Sequence, residues 1–201
     1  VVAAQAELMA DIFESKLNAE LERLSEMVEE LQEEGADDSA ILSIYSAMKK
    51  ETESTYGLLA LDGTACYGEA VSVREFSGIR DSFRGNKAIS YNQEEGLLFT
   101  VPVCNGDNVR YVLYQKYDKE SASLQFAVDC FEKEGYVSIR DIDGVVVVEA
   151  GNSEFGNSPI LMEENFAPIN QKLNECLNIA PSACVFQKTF GKEYYFFKLF
   201  N

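Results

Sequence analysis

The 201-residue chain contains no histidine and no tryptophan. Without histidine it lacks the usual general base near neutral pH, the commonest metal ligand, and every Ser-His or Cys-His nucleophile pair. Basic residues are few: 17 Lys and Arg stand against 34 Asp and Glu, a formal charge of −17. That charge repels phosphate backbones and anionic headgroups, so neither nucleic-acid binding nor electrostatic adsorption to a membrane is expected. No apolar run approaches the roughly 18–20 residues that a membrane-spanning helix needs. The chain opens on Val-Val-Ala-Ala-Gln with no secretory leader, and the expectation is a piece excised from a longer protein.

Paired chemistry is equally sparse. Cys66, Cys104, Cys130, Cys176 and Cys184 include no C-x-x-C pair of the zinc or redox kind. A scattered set of this sort reads as small buried hydrophobes, with a Cys176–Cys184 bridge left open. The acidic pairs Glu94-Glu95, Glu163-Glu164 and Asp141-x-Asp143 would diverge from a helix or turn instead of facing each other across a cleft. Asp141-x-Asp143-Gly144 also lacks the downstream Glu of a calcium loop. No enzyme, metal site or cofactor is expected.

What is present is a core-forming chain, 46% apolar. Over residues 3–34, Leu8, Ile12, Leu17, Leu21, Leu24, Val28 and Leu31 recur at three- to five-residue steps. That stripe predicts one helix of about 30 residues, about 45 Å long, with an acidic opposite face and Gly35 as its stop. The stripe suits packing on the chain's own modules or against a second copy. A second helix fits residues 38–53, capped by Asp37, Asp38 or Ser39.

Two similar modules follow. Asp62-Gly63 turns a hairpin between 56–61 and 64–67, and Asp143-Gly144 turns another within 135–149. In the first module a helix over 73–83 ends at Gly85, and strands follow over 88–91, 96–104 and 109–118, the last pair joined around Asn105-Gly106-Asp107-Asn108. Residues 119–125 read as a connector. In the second module 151–158 reads as loop and 159–178 as mainly helix. Strands follow over 183–190 and 193–200. This copy stops one strand short of the first.

A long N-terminal helix ahead of two such modules resembles the double Cache domain, the PAS-like extracellular sensor of bacterial membrane receptors. The resemblance is carried by Arg84-Gly-Asn-Lys-Ala-Ile-Ser-Tyr91, Gly96-Leu-Leu-Phe-Thr-Val-Pro-Val103 and Tyr111-Val-Leu-Tyr-Gln-Lys-Tyr-Asp118. It implies an α+β fold with a stalk helix region over 1–54, a membrane-distal module over 55–125 and a smaller, incomplete membrane-proximal module over 126–201. It further implies a small-molecule ligand in the distal module, flanking membrane segments outside this sequence, weak dimerisation, and a cytoplasmic output such as a diguanylate cyclase, histidine kinase or chemoreceptor domain. The competing expectation is a cytoplasmic regulatory module of the roadblock or profilin type, which leaves the stalk helix and the second copy unexplained.

Amino-acid-binding members of the family hold the ligand ammonium with a carboxylate at the position matched by Asp118. Strand alternation puts Lys116 and Tyr114 on the same face. Tyr91, Thr100 and Arg80 are added from a neighbouring strand, the strand between and the covering helix, giving a cup with an aromatic wall and both charge signs. In a purely structural reading Tyr114 and Tyr91 are core aromatics and Asp118 caps the next turn. The Arg-x-Trp element of the amino-acid subfamily is absent, since the chain has no Trp, so the expected ligand is a small molecule not restricted to amino acids.

Overall fold

The computed structural model describes residues 2–33, 38–48, 53–128, 136–140, 146–151, 171, 185–190 and 193–198. It divides into two compact units, residues 18–124 and residues 1–17 with 125–201.

The fold is α+β. Helix α1 (Val2–Glu33) and helix α2 (Asp38–Met48) precede five strands: β1 (Thr55–Ala60), β2 (Ala65–Tyr67), β3 (Ala88–Asn92), β4 (Gly96–Asn105) and β5 (Asn108–Tyr117). They form one antiparallel sheet in the order β2-β1-β5-β4-β3. Helix α3 (Gly78–Phe83) lies between β2 and β3, so the chain crosses from one edge of the sheet to the other, and β5, the last strand to be made, fills the centre. Two strands before a covering helix and three after it is the arrangement expected from the sequence.

The register assigns side chains to faces. One row across the sheet runs Ala88, Thr100, Tyr114, Gly57; the row one residue along runs Ile89, Phe99, Gln115, Tyr56 and points to the opposite side. On the first face Phe76 and Ile79 pack with Leu59, Leu98, Val112 and Tyr114. On the second, Val28 and Leu31 of α1 and Ile41 of α2 meet Leu58, Val103 and Leu113. They leave a void of about 10 Å³ there, room for one water at most.

The Asp62-Gly63 turn forms as the sequence predicts. Gly63 takes φ 85°, and Asp62 Oδ1 accepts hydrogen bonds from the Thr64 backbone N–H at 2.9 Å and its hydroxyl at 2.6 Å. This is the local side-chain turn that Asp supplies and a bulkier apolar residue cannot.

Several expectations are corrected. Leu8 and Ile12 are exposed, and Ala10 and Phe13 are buried instead; the stripe follows a different helix face in its first turns, because a single period does not reveal where the buried face drifts. The helix over 73–83 shrinks to Gly78–Phe83, with turns at 73–75, since β-branched Val73 and Gly78 both weaken helix at its start. The connector at 119–125 is a helix, α4 (Lys119–Phe126): Asp118 Oδ1 accepts from the Ser121 N–H at 2.8 Å, and Ala122 and Phe126 are buried. Cys66 is exposed on the edge strand β2 and Cys104 is half-buried, both free thiols, so neither is the buried hydrophobe expected. Cys130, Cys176 and Cys184 lie outside the described residues.

The other unit contains the first part of α1 and two hairpins, β6 (Tyr136–Arg140) with β7 (Val146–Gly151) and β8 (Val185–Phe190) with β9 (Glu193–Lys198). Lys16 Nζ donates to the Ala127 carbonyl at 2.6 Å, anchoring the helix within this unit. Deleting β5 from the five-stranded sheet would leave two separate two-stranded ribbons, and among the described residues this unit shows two such ribbons. The Asp143-Gly144 turn, the 152–158 loop and all of the expected 159–178 helix except Gln171 lie outside the described residues.

Candidate functional site

The centre of the 18–124 unit is β5, whose alternate side chains serve the two faces. Tyr114 stands directly opposite Gly57 on β1 and Thr100 on β4. Its ring covers Gly57 so closely that a Cβ there would overlap the phenol hydroxyl, Cε1 and Cζ. The hydroxyl donates to the Glu69 carbonyl at 2.5 Å. Burial pushes the phenol pKa up to about 12. Because the folded value is raised above the unfolded one, the neutral ring's contribution to stability is complete below pH 10 and is lost as pH rises toward 12.

Beside Tyr114, Thr100 is fully buried. Its Oγ1 lies 2.8 Å from Ser82 Oγ, and 3.3 Å from both the Gly78 and the Ala88 carbonyl. Ser82 Oγ also donates to the Asn86 carbonyl at 2.9 Å. This hydroxyl pair ties α3 to the sheet. Thr100→Val keeps the shape and removes the hydroxyl, and is expected to cost about 1–2 kcal/mol, read by urea unfolding; a loss below the error of that method would remove Thr100 from the clamp.

Lys116, two residues on from Tyr114, ion-pairs with Glu95. Its side chain is 19% exposed against 42% for Glu95, so the pair sits at the rim of this face. Asp118 follows the strand as the α4 cap, and the Ser121 N–H holds its carboxyl below the usual range. Thr100, Tyr114 and Lys116 therefore share one face and Asp118 borders it. Tyr91 is paired with Leu97 and so falls on the other face, and Arg80 is exposed on α3; neither joins the other four.

Nothing in the sequence reading anticipated the polar cluster on the opposite face. Gln115 is fully buried in mid-strand. Its Nε2 lies 3.0 Å from Ser54 Oγ and 2.8 Å from both the Tyr56 and the Tyr117 hydroxyl, and its two hydrogens are shared among these three acceptors. Tyr117 in turn donates to Glu20 Oε1 at 2.7 Å. Arg23 Nη2 donates to Glu20 Oε1 at 2.7 Å and to the Tyr56 hydroxyl at 2.6 Å. Burial raises the Glu20 pKa, but the hydrogen bonds from Arg23 and Tyr117 outweigh it, and the carboxyl titrates below its ordinary range. Burial and the Glu20 carboxylate both raise the Tyr117 pKa. Gln115 Oε1 is buried without a hydrogen-bond partner. The one available signal was a lone Arg in an acidic helix, together with a Gln flanked by strand residues.

No protein-family model matches the chain, and no curated protein matches it. Among the described residues no cluster of three or more Cys, Asp or Glu could hold a metal ion, and no helix is long and apolar enough to cross a membrane.

Proposed function

We propose that the chain is the ligand-sensing part of a transmembrane signalling protein, lying outside the cytoplasm between membrane segments that flank it in the parent protein. In this reading the 18–124 unit takes a small polar molecule at the rim marked by Lys116 and Asp118, beside the buried Thr100 and Tyr114, and α1 carries the response toward a cytoplasmic output domain. The Cache-like identity and the output class belong to the same proposal.

The observation that supports it is the double duty of β5. Tyr114 and Lys116 face one way; Gln115 and Tyr117 face the other and are bonded to one another and, through Tyr117, to α1. A ligand changes a protein only through differential affinity for two states, and a strand shared by both faces is a short route by which such a bias reaches a helix. The ion pair of Lys116 and Glu95, with the Asp118 carboxylate nearby in sequence, offers both charge signs to a polar or zwitterionic molecule.

The test is titration calorimetry against the free amino acids, small carboxylates and small amines, using the wild-type chain and the Lys116→Ala and Asp118→Ala variants. Saturable binding to the wild type that weakens about tenfold or more in either variant is expected, a loss of about 1.4 kcal/mol. Binding unchanged in both variants would remove this face as the site. Absence of binding by every compound would contradict the sensor reading.

A further inference from the structure

From Leu21 to Leu31 the apolar contacts of α1 do not distinguish one axial position of the helix from the next. Leu21, Leu24, Val28 and Leu31 are all buried, and they recur at three- and four-residue steps. A helix advanced by one turn, about 5.4 Å, brings each of them close to the place of its neighbour. Side-chain rows of this kind pack in discrete, repeated positions, and one-turn ratchets are an established form of conformational change.

The polar contacts do not repeat in this way. One turn along from Glu20 stands Leu24, and one turn along from Arg23 stands Met27; neither can accept from Tyr117 in the way a carboxylate does. In the other direction stand Lys16 and Ala19, which have no acceptor for it either. In any shifted position the Tyr117 hydroxyl loses its acceptor on α1 and the Tyr56 hydroxyl loses its Arg23 donor, while Gln115 keeps its bonds to the two tyrosines and depends on the helix only through them. Within the 18–124 unit two further contacts depend on position. Lys87 pairs with Glu22 between side chains 43% and 60% exposed, which is weak by nature. Gln32 Oε1 accepts from the Cys104 N–H at 2.8 Å, a single neutral hydrogen bond.

We infer that the cluster of Glu20, Arg23, Tyr56, Gln115 and Tyr117 is a register lock, and that α1 occupies a second position one turn away when the lock is broken. Buried polar groups are best attested in this role, where they set alignment at some cost in stability. The unpaired Gln115 Oε1 is such a cost. The inference holds whether or not the other face of the sheet binds a ligand; because α1 is one continuous helix, the shift also breaks the bond of Lys16 to the Ala127 carbonyl.

Native Cys104 supplies the readout, because its backbone already meets residue 32 of α1. In the full chain with Cys66, Cys130, Cys176 and Cys184 changed to serine, Gln32→Cys reports the observed position and Val28→Cys the position one turn away. A short thiol–thiol cross-linker is applied to each. With the lock intact, cross-linking to Cys104 is expected at position 32 and only weakly at position 28. In the Glu20→Gln/Tyr117→Phe background the yield at position 28 is expected to rise about fivefold or more, as for a shift of one hydrogen bond's worth of stability, while that at position 32 falls. Unchanged yields at both positions in a background with native circular dichroism would overturn the inference. So would a fall at both positions together, which marks undocking of the helix and not a shift. If the double variant does not fold, Tyr117→Phe alone, which removes the bond to Glu20, is read by the same two yields and the same outcomes.

Discussion

Alanine at position 57 is expected to destabilise the 18–124 unit by about 2–3 kcal/mol, although it adds a single methyl group. Gly57 sits in the middle of β1, where a small side chain would ordinarily be tolerated. Here the Tyr114 ring occupies the space that a Cβ needs, and the ring cannot retreat without giving up its bond to the Glu69 carbonyl. Tyr114→Ala alone is expected to cost about 3–5 kcal/mol, since a fully buried aromatic is lost. The two substitutions remove the same conflict. In the Tyr114→Ala background, Gly57→Ala should cost well under about 1 kcal/mol, a coupling of the size seen for residues in direct contact. Urea unfolding of the four proteins closes the cycle; additive costs would mean that the ring does not lie on Gly57.

Glu20→Gln is the second large effect, and its pH dependence carries more information than its size. Glu20 accepts from both Arg23 and Tyr117, and hydrogen bonds to a charged group contribute more than neutral ones, so a loss of about 2 kcal/mol is expected at neutral pH. Because the folded carboxyl titrates below its ordinary value of 4.5, the stability that it contributes is present above that pH and is lost as pH falls through the lower, folded value. The gap between wild type and Glu20→Gln should therefore be widest near pH 7 and narrow steadily below pH 4.5. A gap that stays constant from pH 7 to acid would mean that the charge of Glu20 plays no part in holding α1.

Much of the unit was legible because its signals are local. Asp62-Gly63 names its turn, and the Gly-bounded run from Gly96 to Val103 names a strand that is buried on both faces apart from Pro102. Gly96 itself has φ 95°, and a Cβ there would overlap the Tyr117 carbonyl, so the glycine is required by the approach of β5. What failed was whatever depended on pairing. Alternation within β5 correctly joined Tyr114 to Lys116, but the relation of Tyr91 to Thr100 depends on the register between β3 and β4. That register places Tyr91 opposite Leu97, one residue out of phase with Thr100. The α4 helix was missed for a related reason: Lys-Glu-Ser-Ala-Ser has no apolar stripe, and its helicity comes from the Asp118 cap and the burial of Ala122 and Phe126.

The polar cluster was hidden by the same separation in sequence. Glu20 falls in a helix whose exposed face reads as acidic, and Gln115 is one position of the strand expected over 109–118 with nothing local to single it out. Only the closeness of α1 to β5, residues nearly a hundred positions apart, turns them into one network. Burying charge in this way contributes little net stability, whereas breaking it by removing one partner is costly.

The most direct measurement follows the methyl resonances of Leu24, Val28 and Leu31 on α1 while the compound found by calorimetry is titrated onto the opposite face of the sheet. Shifts at all three methyls, saturating with the same affinity that calorimetry gives and absent in Lys116→Ala, are the expected result. Saturable binding that leaves α1 untouched would contradict the central claim that β5 joins a ligand face to a helix face.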